Sequence, residues 1–248
     1  MPRLSRRQFL ALTSAAASGA LLAACTRETK ISPMNWKLPP TMAPTPTVRG
    51  PESLDAAAAL ARLLDGNQRY IASSLVHPNQ MPERRKALTD QQKPFAIVLT
   101  CADSDAPPEV IFDQGLGDLV VVRIAGNILS DTLLGSIEYA VEHFKPPLVM
   151  VLGHQKCGAV KVAIDAVQSG SEAPGHMASL VTALRPAVEA AQLESGDVLD
   201  NAVRVNIRQV VTQLRDQSAL LEARLGKGLL KAVGAYYSLD TGAVEILS

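Results

Sequence analysis

Phe95-Ala96-Ile97-Val98-Leu99-Thr100-Cys101-Ala102-Asp103-Ser104 passes from an unbroken apolar run straight into a cysteine and an acid. A second stretch, Leu148-Val149-Met150-Val151-Leu152-Gly153-His154-Gln155-Lys156-Cys157, repeats the pattern with a histidine and a cysteine. Short continuous apolar runs suit strands buried on both faces, as parallel strands are. Sheets of that kind carry their chemistry at the carboxyl ends of the strands, which is where both polar clusters begin. Two thiolates and an imidazole are what a tetrahedral zinc site requires, and three protein ligands leave a fourth position for water or a nearby carboxylate. Cys101, His154 and Cys157 are therefore candidate zinc ligands, with Asp103 as a candidate fourth. Two other readings stay open for the cysteines: inert buried thiols, or a disulfide in an exported chain. The pairing of His-x-x-Cys with Cys-x-Asp at a second strand end favours metal. His77, His143 and His176 have no comparable setting and read as surface or capping residues.

Around these runs the chain alternates helix and strand. Leu54 to Ser74 places Leu54, Ala57, Leu60, Ala61, Leu64 and Ile71 at helical spacing. Glu83 to Gln92 predicts a short helix stopped by Pro94, ahead of a strand over 94–100. Pro107-Pro108 starts a helix, since proline is tolerated in a first turn. Leu119 to Val122 reads as a second buried strand, and Asp131 as the cap of a helix ending at His143. Pro146-Pro147 reset the chain for a strand over 148–152. Gly158 to Gln168 and Met177 to Gln192 are helical, the latter with Pro186 as a kink or break. Ala202 to Leu225 is an amphipathic helical region. Gly228 to Tyr237 and Ala243 to Leu247 flank the turn signal Asp240-Thr241-Gly242 and predict a hairpin. The fold class is α/β: a mainly parallel central sheet with an antiparallel edge, flanked by helices.

The amino terminus reads as an address. Ser5-Arg6-Arg7-Gln8-Phe9-Leu10 is a twin-arginine pattern, and the uncharged segment from Leu10 to Ala24 is short for a membrane span but fits a signal sequence. It ends in Leu22-Ala23-Ala24-Cys25, which resembles a lipoprotein box and makes Cys25 the expected lipidation site. The organisation expected is a signal peptide over 1–24, a tether over 25–51 and a zinc domain over 52–248. The tether carries prolines at 33, 39, 40, 44, 46 and 51, a composition that gives an extended, semi-rigid spacer. This predicts export to the periplasm or the outer face of a bacterial membrane, with membrane contact through the lipid alone. Lysines and arginines number 24 against 24 acids, and no basic patch with interleaved aromatics points to nucleic acid. Only two cysteines follow Cys25, so the chain is not a disulfide scaffold.

From about Leu54 to its end the chain resembles the beta-class carbonic anhydrases. The motifs are Asp65-Gly66-Asn67-Gln68-Arg69-Tyr70, Cys101-x-Asp103-Ser104, Arg123-x-Ala125-Gly126-Asn127 and Gly153-His154-x-x-Cys157-Gly158. Gly234-Ala235-Tyr236-Tyr237-Ser238-Leu239-x-Thr241-Gly242 completes the set. The resemblance implies one zinc per chain on Cys101, His154 and Cys157, and reversible hydration of carbon dioxide to bicarbonate. It further implies a homodimer or a higher assembly of dimers. Gln92 and Tyr139 would line the substrate pocket from across the interface, Gly158 would border it, and Asp103 would be the catalytic acid–base group.

In one place the chain departs from that pattern. The family's usual Cys-x-Asp-Ser-Arg becomes Cys101-Ala102-Asp103-Ser104-Asp105, so an acid replaces the arginine that would hold Asp103 away from zinc. Two thiolates already cancel the charge of the ion, and a further acid opposes bicarbonate. Asp103 is expected to move onto the metal unless another base, such as Arg123 or one from a neighbouring subunit, replaces the missing partner. Val120, where relatives often carry an aromatic, is a smaller departure. Three functions remain: a carbon dioxide lyase of weakened turnover, a related zinc hydrolase of another small linear molecule such as carbon disulfide, or a catalytically silent zinc protein.

Overall fold

The computed structural model describes residues 54–247. Its strands are β1 (Ala96–Thr100), β2 (Leu119–Arg123), β3 (Leu148–His154), β4 (Lys231–Tyr237) and β5 (Val244–Leu247). They form one sheet in the order β2-β1-β3-β4-β5. The first four are parallel and β5 runs antiparallel to β4, as the hairpin signal around Asp240-Thr241-Gly242 predicts. The helices are α1 (Ala56–Ile71), α2 (Pro82–Ala87), α3 (Pro108–Ile111), α4 (Asp131–Phe144), α5 (Gly158–Ser169), α6 (Met177–Ala191), α7 (Val198–Asp216) and α8 (Ala219–Gly226).

Every residue of β1 and β3 is buried, which explains their unbroken apolar runs. Because side chains alternate across a strand, β1 feeds two cores. Ile97 and Leu99 join Val149, Val151, Ile137, Leu184 and Ile207 on one face. Ala96 and Val98 join Met150, Leu63, Ile111 and Phe112 on the other. Helices therefore cover both sides of the sheet. The chain leaves β1 for β2 on one side, then crosses back to place β3 on the other side of β1. That reversal opens a crevice beyond the carboxyl ends of β1 and β3, the position at which open α/β sheets bind ligands. Cys101 and His154 stand at its two lips.

The approach of α7 to the sheet depends on Gly153. A Cβ there would lie 2.7 Å from Cδ1 and 2.8 Å from Cγ1 of Ile207. Only glycine lets this helix settle on the strand directly before His154.

Several boundaries differ from the sequence expectation. The helix predicted over 83–92 stops at Ala87 and buries none of its residues, so no packing rewards its extension. The Thr89 hydroxyl donates to the Lys86 carbonyl at 2.8 Å, taking a bond that a further turn would have used. Asp131 is not a cap: Ser130 is the N-cap residue, and Asp131 sits inside the first turn with no side-chain capping bond in place. Its charge there complements the helix dipole. Pro186 lies within the continuous helix α6. The region predicted over 202–225 is two helices, because the Ser218 hydroxyl accepts from Leu221 N–H at 3.1 Å and starts α8 afresh. No described helix is long and apolar enough to cross a membrane. The expectations for the twin-arginine segment, Cys25 and the proline-rich tether lie outside the described residues.

Candidate metal centre

Cys101 follows β1, His154 ends β3, and Cys157 is the N-cap residue of α5. With Asp103, their donor atoms all lie within 4.8 Å of one another. Cys101 and His154 are fully buried and Cys157 is 1% exposed, whereas the Asp103 side chain is 38% exposed. His77, His143 and His176 stand outside the group.

The spacing fits one tetrahedral ion. Two sulfurs about 2.3 Å from a shared zinc would lie about 3.8 Å apart, and the two Sγ atoms are 3.7 Å apart. That separation leaves both cysteines as free thiols, which removes the disulfide reading. A nitrogen and a carboxylate oxygen on the same ion would be about 3.4 Å apart, against 3.3 Å between His154 Nε2 and Asp103 Oδ2. Nε2 is buried, and among the described residues it has no hydrogen-bond partner. A buried polar atom left unpaired costs roughly 1–3 kcal/mol, a cost that a metal ion at this point removes. The donor set of two sulfurs, an imidazole nitrogen and a carboxylate oxygen suits zinc and gives calcium or magnesium nothing to prefer.

The metal-free electrostatics carry the same message. The hydrogen bond from Cys157 pulls the Cys101 thiol down to about 4 against the opposing effect of burial, and His154 and the Gly126 N–H help. Cys157 is pushed up by the same bond and by burial. Burial alone would lower the His154 imidazole, yet the neighbouring Cys101 sulfur and the negative charges of Asp105 and Asp103 raise it above its ordinary value.

The loop that carries Cys101 and Asp103 is held by Arg123 at the end of β2. Its Nε donates to the Cys101 carbonyl at 2.9 Å, and its guanidinium also donates to the carbonyls of Asp103 and Ala106. Arg123 thus grips the backbone and does not pair with the Asp103 carboxylate. Among the described residues, His154 supplies the one ion-pair contact of Asp103. Asp103 Oδ2 also accepts from Gly158 N–H at 3.3 Å, at the amino end of α5, where the helix dipole favours negative charge. Gly126 N–H donates to Cys101 Sγ at 3.3 Å. Gly126 takes φ 72°, a left-handed conformation that glycine adopts without strain, and the buried Asn206 amide holds its carbonyl at 2.9 Å.

Gly158 accordingly belongs to the cluster, while Gln92 and Tyr139 stand apart from it. Gln92 lines a cleft with Phe95, His143 and Pro147 at the amino end of β1 and β3, and the five residues of β1, about 16 Å, separate that end from Cys101. Tyr139 is 54% exposed and packs its ring 4.1 Å from that of His143. Sequence reasoning did not foresee the contacts of three supporting residues. Asn67 ties α1 to the 242–244 segment through Gly242 O and Val244 N. Gln155 binds Asp240 from the loop between the ligands. Asp105 Oδ1 lies 3.7 Å from His154 Nδ1, and the every-second-residue spacing of Cys101, Asp103 and Asp105 is the signal that could have found it.

The carbonic anhydrase family profile matches residues 96–244. A carbonic anhydrase of Mycolicibacterium smegmatis is 40% identical over 191 residues, covering 77% of this chain and 93% of that protein. Carbonic anhydrase 2 of Mycobacterium tuberculosis is 39% identical over 185 residues, 75% of this chain and 89% of that one. The solved structure of the beta-carbonic anhydrase CcaA superposes with a TM-score of 0.60 at 26% identity, covering 76% of this chain and 95% of that chain. The chain belongs to the carbonic anhydrase family, in its beta class. It is a zinc-dependent enzyme of that class, with one ion per chain.

Proposed function

We propose that the chain interconverts carbon dioxide and bicarbonate at a zinc ion held by Cys101, His154 and Cys157. The observation that carries this reading is the meeting of two sulfurs 3.7 Å apart with the unpartnered Nε2 of His154 at one sheet crevice. When bound, zinc supplies the Lewis acidity that ionises water near neutral pH. The chain's own residues do the rest. The buried ends of β1 and β3 exclude bulk water from one side of the crevice. Gly126 N–H stabilises the Cys101 thiolate, and Gly158 N–H orients the Asp103 carboxylate. Asp103, more than a third exposed, connects the crevice to solvent and accepts or returns a proton at Oδ2.

The same Oδ2 lies where a fourth ligand would stand, and no arginine of the described chain draws it away. This supports a resting form in which Asp103 occupies the fourth position and turnover is slow. Hydration measured by stopped flow with a pH indicator should be present in the zinc-loaded protein, vanish on chelation, and vanish with the zinc itself in Cys157→Ala. A Cys157→Ala protein that keeps full zinc and full activity would remove the assignment.

The working form proposed is a homodimer or an assembly of dimers. Gln92 lines a cleft at the amino end of β1 and β3, away from its own crevice, Tyr139 is exposed, and among the described strands β2 leaves one edge of the sheet unpaired. Equilibrium sedimentation checks this, and a strictly monomeric active enzyme contradicts it. Export by the twin-arginine route with a lipid on Cys25 is proposed from the sequence of residues 5–25. Mass spectrometry of the mature amino terminus tests it, and an unmodified chain that keeps Met1 overturns it.

A further inference from the structure

Asp105 stands where the sequence reading found only a loss, and its surroundings give it a task. We infer that Asp105 is a positioning residue for zinc: its carboxylate partners Nδ1 of His154, fixes the ring with Nε2 turned to the metal, and strengthens retention of the ion. The inference rests on the zinc reading above and adds a residue to it.

The geometry assigns the two carboxylates to opposite nitrogens of one ring. Asp103 Oδ2 is 3.3 Å from Nε2 and Asp105 Oδ1 is 3.7 Å from Nδ1. His154 is fully buried, so what surrounds its nitrogens decides which of them carries the proton. Among the described residues, Nδ1 of His154 is the one Lys, Arg or His nitrogen within ion-pair distance of the Asp105 carboxylate. Nδ1 also faces the Gln155 carbonyl at 3.1 Å. A neutral imidazole with Nε2 on a metal has its hydrogen on Nδ1; the Gln155 carbonyl accepts that hydrogen at 3.1 Å, and the Asp105 carboxylate lies 3.7 Å from the same nitrogen, where its negative charge favours the N–H on that side. The carbonyl supplies a dipole and Asp105 supplies a charge.

The loop makes this placement durable. Arg123 grips the carbonyls of Cys101, Asp103 and Ala106, which fixes the backbone on both sides of residue 105. An aspartate there has a short reach, and its Oδ1 stands 3.7 Å from Nδ1. An arginine at the same position would bring a donor and a positive charge toward Nδ1–H. It could not accept that hydrogen. The substitution thus exchanges a group that draws Asp103 off the metal for one that steadies the histidine on it. Metal-bound histidines commonly hand their other N–H to a carboxylate, and loss of such a partner lowers metal affinity by roughly 10–100-fold.

The test is zinc affinity by chelator competition on the whole folded domain, for wild type, Asp105→Ala, Asp105→Asn and Asp105→Glu. Asp165→Asn is the control, since that acid is exposed and pairs with Lys161 on α5. Ala and Asn should weaken zinc binding by tenfold or more, Glu by less than about threefold, and the control not at all. For any variant whose metal-free form melts lower, the rise in Tm on adding zinc, taken against its own metal-free form, reads the same quantity. Wild-type affinity in Asp105→Ala, or an equal loss in the control, overturns the inference. A wild type that binds no zinc instead overturns the reading beneath it, so the two failures are distinct.

Discussion

Replacing Asp105 by arginine tests how the missing Asp–Arg pair limits turnover. Among the described residues the Asp103 carboxylate has no cationic partner apart from His154, and Arg123 is spent on backbone carbonyls. A guanidinium at position 105 would approach Asp103 to about 4 Å, worth about 4 kcal/mol at an effective dielectric of 20. Both positions are partly open, with side chains 38% and 49% exposed, so solvent reduces this to about 1 kcal/mol at most. If the wild type rests with Asp103 in the fourth position, that energy shifts it off for up to about five times more of the time. Carbon dioxide hydration in Asp105→Arg should then rise by up to about fivefold, the factor that about 1 kcal/mol of barrier gives. The assay is stopped flow with a pH indicator, with both proteins at equal zinc occupancy, since the variant also loses the partner of His154 and needs more free zinc to fill. A fast wild type that the substitution leaves unchanged would refute the reasoning, because it would mean that Asp103 never blocks the site.

Gly153→Ala drives a Cβ against Ile207 at 2.7 Å, and such overpacking costs about 1–3 kcal/mol. Its melting temperature should fall by several degrees and zinc affinity with it, as His154 is the next residue; an unchanged melt would show that α7 yields freely. Asp113→Asn removes a carboxylate that accepts from Arg69 Nε at 2.6 Å and from the N–H groups of Val76 and His77. Burial alone would raise Asp113, but these bonds outweigh it and hold the group below its ordinary carboxylate value. Its stabilisation is therefore present above that value and lost as pH falls through the folded one. Urea unfolding should show Asp113→Asn about 2–3 kcal/mol less stable near pH 7, with the gap closing below about pH 4. A gap that persists in acid would assign the loss to shape and not to charge.

The strands that frame the site were legible because burial on both faces leaves only apolar residues in β1 and β3. The donors were legible because a cysteine or histidine at such a strand end has few other uses. Boundaries set by single polar bonds were not. Ser218 splits one amphipathic stretch into α7 and α8, and its partner Glu138 lies on α4, far away in sequence. Asp105 was misjudged for a related reason. Its charge is visible in the sequence, but the nitrogen it faces belongs to another strand, and only the crossover from β2 to β3 brings them together.

The most direct measurement of the central claim is anomalous scattering at the zinc edge from crystals of the purified, untreated protein. One peak per chain is expected in the crevice between β1 and β3, bounded by Cys101 Sγ, Cys157 Sγ and His154 Nε2, with Asp103 Oδ2 at the fourth vertex. A peak elsewhere, or none at all in protein that still hydrates carbon dioxide, would contradict the account.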